Sequence, residues 1–179
     1  MASTPRPRLT SVAGPWYRIT RGGATTSLFW SETPADGRWQ RDEVVRAVYL
    51  ADSEETAWAE WMRAIAEAGI APDAALPRAV FTLDADVTEI ADLRDPRRLK
   101  RIAGVSKMQP TRRQWPQTQP VGEALWRMGA RGIIASSAAH EGHVVLTLFR
   151  ESETIPGLTE RQPGTTHDAI PRIPTGLRT

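Results

Sequence analysis

The sequence predicts a mixed α+β domain, on three observations. Short β-branched and aromatic runs recur along the chain, capped helical stretches interrupt them at irregular intervals, and strand–helix–strand units are too few for a doubly wound sheet. Trp16-Tyr17-Arg18-Ile19 reads as a first strand, broken by Arg21-Gly22-Gly23. Ala24 to Glu43 has no clear period and carries Pro34, Asp36 and Gly37, so it reads as a long connection. Val44 to Ala51 is a strand, and Ser53 caps a helix that runs to Ala68 and stops at Gly69, with Glu54 and Glu55 favouring its N-terminal dipole. Trp58, Trp61, Met62 and Ile65 form the apolar stripe expected to be buried. Arg78 to Leu83 is a strand, continued by Val87 to Ile90 after a turn. Asp95 to Ile102 is a short helix starting at Pro96. Met108 to Pro120 holds three prolines and reads as irregular. Val121 to Met128 is a helix, and Arg131 to Ala135 and His143 to Phe149 are the last strands. Residues 1–15 read as a loose Pro/Ser/Thr-rich arm, 16–150 as the body, and 151–179 as a Pro/Gly-rich extension with weak secondary structure.

At 179 residues the chain fits one domain with a real core. It has no cysteine, which removes disulfides, thiol nucleophiles and thiolate metal sites. The net charge of +2, with acids interspersed among the arginines, argues against a nucleic-acid-binding module. No apolar run reaches membrane-spanning length, and Met1 to Pro7 lacks the apolar stretch of a signal peptide, so a cytoplasmic protein with no membrane contact is expected. Seven tryptophans are many for this length. Several stand beside Pro or Arg, which suggests surface positions and an interface, with a homodimer as one form it would take.

Arg38, Tyr49 and Glu60 fall eleven residues apart, on a turn, a strand and a capped helix. On position alone each has an ordinary reading. Arg38 packs on Trp39, Tyr49 is a core tyrosine, and Glu60, about 200° around the helix from Trp58, is a solvated partner of Arg63. Together they have another: a cation, an aromatic ring and a carboxylate converging on one cleft, as a phosphate- and ribose-bearing ligand requires. Arg18 on the first strand has the same two readings. Ser137 lies in the small-residue segment between the last strands, with no base placed by sequence to activate it. His140 and His143 are three apart in a turn and do not form a helical metal pair, so no metal is expected. Arg21-Gly22-Gly23-Ala24 opens no helix and is not a dinucleotide fingerprint.

In order, Trp16-Tyr17-Arg18-Ile19, Gly37-Arg38-Trp39, Val48-Tyr49-Leu50-Ala51, Ser53 to Glu60, and Gly132 to Ala138 with Val144-Val145-Leu146 resemble the RES domain family, toxins of bacterial toxin–antitoxin pairs. The resemblance covers residues 16–150. The chain departs from the family pattern in Gln40-Arg41-Asp42-Glu43 after Arg-Trp and in Ser136 before Ser137, which leaves both serines as candidates; Ser137 is preferred because Ala138 follows it.

The resemblance implies a fold similar to ADP-ribosyltransferases, a split β-core with surrounding helices. It implies NAD+ as the substrate, cleaved between nicotinamide and ribose with water or inorganic phosphate as acceptor, and an Xre-type helical antitoxin that blocks the active site. Carried onto this chain, Arg38, Glu60 and Ser137 become the catalytic set, and Arg18, Arg38, Tyr49 and Ser137 the NAD+-binding set. The alternative is an ADP-ribosyltransferase that modifies a protein target from the same cleft.

Overall fold

Two long strands organise the chain, and neither has the length its local sequence suggests. The computed structural model describes residues 6–172 and 176. Strand β1 (Leu9–Arg21) pairs antiparallel with β3 (Arg78–Asp92) along nearly its whole length, from Leu9↔Ala91 to Arg21↔Arg78. The expected loose arm therefore ends by Leu9. Leu9 to Pro15 has little apolar pattern of its own, and its extended form comes from pairing with the second half of β3. Residues 1–5 lie outside the described residues. The turn expected between Leu83 and Val87 does not occur. Asp84 and Ala85 are held on both sides, by β1 and by β6 (Leu158–Glu160), and Asp84 accepts two bonds from Arg161 at 2.7 and 2.6 Å. Paired neighbours override the turn propensity of the two aspartates.

The remaining strands are β2 (Arg46–Ala51), β4 (Gly132–Ser136), β5 (Val144–Arg150) and β7 (Thr165–His167). Pairing runs β1-β2-β5-β4-β3, and β3 returns to β1, so these strands close on themselves; β6 and β7 add to β3. Among the described residues only β3 and β4 pair in parallel. The closure has a seam. β1 and β2 share the single register pair Tyr17↔Ala51, beyond which they part as a wedge. The tail contributes two three-residue strands where weak structure is expected, and its other described residues are irregular.

Alternation along the strands makes two cores. Trp16, Val48, Leu50, Phe81, Leu83, Leu146 and Leu148 point to the inner face. Ala91, Ile133, Ala135 and Phe149 point outward and are covered by α2 (Pro96–Ala103), α3 (Trp115–Arg127) and Trp39. Helix α2 starts at Pro96 as expected, and Asp95 caps it by accepting from Arg98 N. Helix α3 begins at Trp115, six residues before the expected start. Pro116 sits in the first turn, where no backbone donor is needed, so it starts the helix that its composition appeared to forbid. Among the described residues no helix is long and apolar enough to cross a membrane.

Candidate active site

Helix α1 (Glu54–Glu67) lies over the seam between β1 and β2. Ser53 caps it, its hydroxyl accepting from Thr56 N at 3.1 Å, with Glu54 and Glu55 in the first turn. Ala57, Glu60, Trp61 and Ala64, at i, i+3, i+4 and i+7, face a cavity of about 400 Å³ at the wedge. Trp58 and Ile65 are buried as expected, whereas Trp61 is a cavity wall and Met62 is only half-buried.

Arg18, Arg38, Tyr49 and Glu60 all line this cavity. Glu60 is not a solvated surface carboxylate. Its Oε1 accepts from Ser137 Oγ at 2.7 Å, Ala138 N at 3.0 Å and Ala139 N at 3.3 Å, and its Oε2 accepts from Arg63 Nε at 3.1 Å. One oxygen is saturated and pinned to the β4–β5 turn. The other is held from one side only, by Arg63.

Ser137 does not reach the cavity. It is 1% exposed, and its hydroxyl donates to Glu60 while accepting from Ala139 N at 3.1 Å and His140 N at 2.9 Å. The expectation that its hydroxyl bonds a ligand is corrected on this point, because every direction around it is already occupied. Ser136, one residue earlier, lines the cavity instead. Behind the turn, His140 and His143 stack with ring centroids 3.9 Å apart, their Nδ1 atoms facing Thr56 and Asp52. Among the described residues no three His, Asp or Glu side chains are grouped to hold a metal ion.

Arg38 and Tyr49 are set by a clamp between the turn 37–41 and one face of α3. Thr118 Oγ1 donates to Arg38 O at 2.6 Å, and Gln119 Nε2 donates to Gly37 O at 3.0 Å. Gly122 packs directly on the Trp39 carbonyl, where a Cβ would overlap it. Glu123, 1% exposed, takes Arg41 in a two-pronged pair at 2.8 and 2.7 Å. The Arg41 fork holds the Glu123 carboxyl below its ordinary range against the opposing effect of burial. Trp39 N donates to Tyr49 Oη at 3.0 Å, and that hydroxyl donates to Gln40 Oε1 at 2.7 Å. Gly37 is required here because a Cβ would collide with the Tyr49 hydroxyl. Burial raises the Tyr49 phenol well above its ordinary value, so it remains a donor.

The Arg38 guanidinium donates to Gln109 O at 2.8 Å and Gln114 Oε1 at 3.2 Å, both neutral acceptors. Burial lowers its pKa, nearby Arg63 lowers it further, and Glu60 offsets part of this. Arg18 is the second cation. It shares the inner face with its cross-strand partner Phe81, and its Nη1 is buried without a hydrogen-bond partner among the described residues. Burial, then Arg150, brings its pKa down to about 10, with Glu160 opposing. Its charged neighbours are Arg150 and Glu160.

Sequence reasoning did not find Met108, Arg112 or Trp115 as cavity walls. They come from the proline-rich stretch before and at the start of α3, whose fold is set by contacts with α1 and Arg38. The clue available was Arg112-Arg113 beside Trp115, a pairing that often marks an aromatic supporting a cation.

This arrangement can bind an elongated anionic ligand across the wedge and place a fixed carboxylate against its middle. Comparison with known proteins identifies the family. The RES domain model matches residues 15–165. The NAD(+) phosphorylase MbcT of Mycobacterium tuberculosis and Mycobacterium bovis is 31% identical over 123 residues, covering 68% of this chain and 64% of the relative, slightly under two thirds of that protein's length. A solved structure, the M. tuberculosis MbcT-MbcA toxin-antitoxin complex, has a similar fold, with a TM-score of 0.68 and 23% identity over 89% of this chain and 86% of that one. With the match running from the first long strand to the last short one, this chain belongs to the RES domain family.

Proposed function

We propose that this protein is the toxin of a toxin–antitoxin pair and degrades NAD+ by breaking its nicotinamide–ribose bond. The observation that carries the reading is Glu60, a carboxylate fixed by four donors inside the cavity that also holds Arg38, Tyr49 and Arg18. Nicotinamide leaves as a neutral molecule and needs no general acid. The barrier is the positive charge that builds on the ribose, as in other glycosyl transfers. A pre-fixed anion stabilises that charge without reorganising at the moment of reaction. Arg38 and Arg18 hold the pyrophosphate, and Tyr49 packs the ribose or nicotinamide and fixes the reactive conformer. Ser137 acts through Glu60 as a positioning residue. Inorganic phosphate is the favoured acceptor, in keeping with the name of the mycobacterial relative.

The expected partner is an Xre-type helical antitoxin that covers the cavity mouth; the fold neighbour was solved as a toxin–antitoxin complex. Such a pair acts in the cytoplasm, where NAD+ is abundant.

The test is Glu60→Gln, with NAD+ consumption measured on purified protein. Gln must keep its oxygen on the Ser137, Ala138 and Ala139 donors and turn its amide NH2 toward Arg63, donor against donor. The substitution therefore removes both the charge and one contact. NAD+ loss should fall at least about 100-fold while thermal melting shows a folded protein. A folded variant with normal turnover would reject the role. Mass spectrometry of the products separates this reading from protein ADP-ribosylation, which would leave the label on a macromolecule.

A further inference from the structure

Arg63 does more than accompany Glu60. Its Nε donates to Glu60 Oε2 at 3.1 Å, and its Nη1 donates to Glu67 Oε2 at 3.2 Å and to Pro110 O at 2.7 Å. Its Nη2 has no hydrogen-bond partner among the described residues. Arg112 stands across from it on the same cavity wall, with its guanidinium 4.9 Å from the Trp115 ring centroid and its Nε 3.7 Å from Glu67 Oε2. Neither of its Nη atoms has a hydrogen-bond partner among the described residues. Glu67 bridges the two arginines, accepting also from Arg112 N at 2.7 Å. The result is two arginines bridged by one carboxylate, Arg63 against Glu60 and Arg112 farther out toward solvent, its side chain 63% exposed.

We infer that Arg63, assisted by Arg112, holds the acceptor oxyanion and selects phosphate over water. This rests on the NAD+-cleaving reading. A phosphate dianion approaching the ribose beside Glu60 meets a fixed negative charge and is repelled, whereas water is not. A guanidinium already touching that carboxylate cancels the repulsion at the point of approach, and its free edge matches the spacing of tetrahedral oxygens. In the step, the ribose C1–N bond breaks and its electron pair leaves with neutral nicotinamide. A phosphate oxygen lone pair forms the new C1–O bond. With the dianion as acceptor no proton is released; with water as acceptor one is.

The experiment incubates full-length wild type, Arg63→Gln and Arg112→Gln with NAD+ over a series of inorganic phosphate concentrations. Nicotinamide, ADP-ribose and ADP-ribose 1-phosphate are then quantified. Arg63→Gln retains a donor for Glu60 but loses the charge. The expected result is saturable phosphorolysis in wild type. In Arg63→Gln the half-saturating phosphate should rise about 10- to 100-fold, with products shifting toward ADP-ribose, and Arg112→Gln should show a smaller shift in the same direction. A purely structural Arg63 would lower both products together, so an unchanged product ratio in both variants overturns the inference. Should Arg63→Gln turn over too slowly to measure, a wild-type phosphate dependence in Arg112→Gln overturns it equally. Wild type that releases only ADP-ribose at every phosphate concentration also overturns it. Wild type that leaves NAD+ intact removes the underlying reading as well.

Discussion

Replacing Ser137 by alanine separates a buried organising hydroxyl from a reacting one. The substitution removes the 2.7 Å bond to Glu60 Oε1 and the acceptor for Ala139 N and His140 N. Ala139 N keeps its contact with Glu60 at 3.3 Å, whereas His140 N, in a residue 3% exposed, is left without that partner. One bond to a charged group and one orphaned buried donor together cost about 2–4 kcal/mol. A urea midpoint should fall by about 1–2 M. Glu60 retains its two backbone donors and Arg63, so it drifts without being released, and NAD+ turnover should drop about 10- to 100-fold. Ser136→Ala is the control. It changes a residue that lines the cavity and makes no hydrogen bond to Glu60, and should leave stability within about 0.5 kcal/mol of wild type. Unaltered stability and turnover in Ser137→Ala, or the larger stability loss in Ser136→Ala, would refute the reasoning.

Two further outcomes test the scaffold. Gly122→Ala forces a methyl into the Trp39 carbonyl and should destabilise by about 3 kcal/mol or more, visible as a fall in Tm, with NAD+ affinity lost alongside because the Arg38 turn is displaced. Burial opposes ionisation of Asp92, but bonds from Arg94 and Arg98 outweigh it and hold its pKa at about 2. The folded value lies below the unfolded value of about 3.9, so this contribution is complete above the unfolded pKa and disappears as pH falls toward 2. Asp92→Asn should therefore flatten the acid limb of stability against pH; an unchanged limb would show that Asp92 contributes nothing to it.

Legibility from sequence followed how local each determinant is. The Ser53 cap, the helix start at Pro96 and the glycine stop at Gly69 are decided within a turn of chain, and they stand where sequence placed them. The start of β1 and the continuity of β3 depend on partners far along the chain, such as Leu9↔Ala91 and Pro15↔Asp84, which local propensity cannot report. The same division runs through the site. Arg38, Tyr49 and Glu60 were recognisable as a set because each sits on a short element with its own signature, and they do share one cavity. Ser137 was recognisable as a candidate, but its orientation was not, because burial against α1 is a tertiary fact. Arg63 was visible only as a helix partner of Glu60. Its contact with Pro110 needed the proline-rich stretch to fold back over α1, and nothing in that stretch's composition announces this.

The strand pairing has a consequence for how activity arises during synthesis. The cavity takes walls from Tyr17 through Val145, and β3 cannot complete its ladders until β6 and β7 have been made. Contacts this distant along the chain form late and slowly. A nascent polypeptide that stops short of Val145 lacks part of the cavity wall, so on the proposed function a half-made copy is inactive.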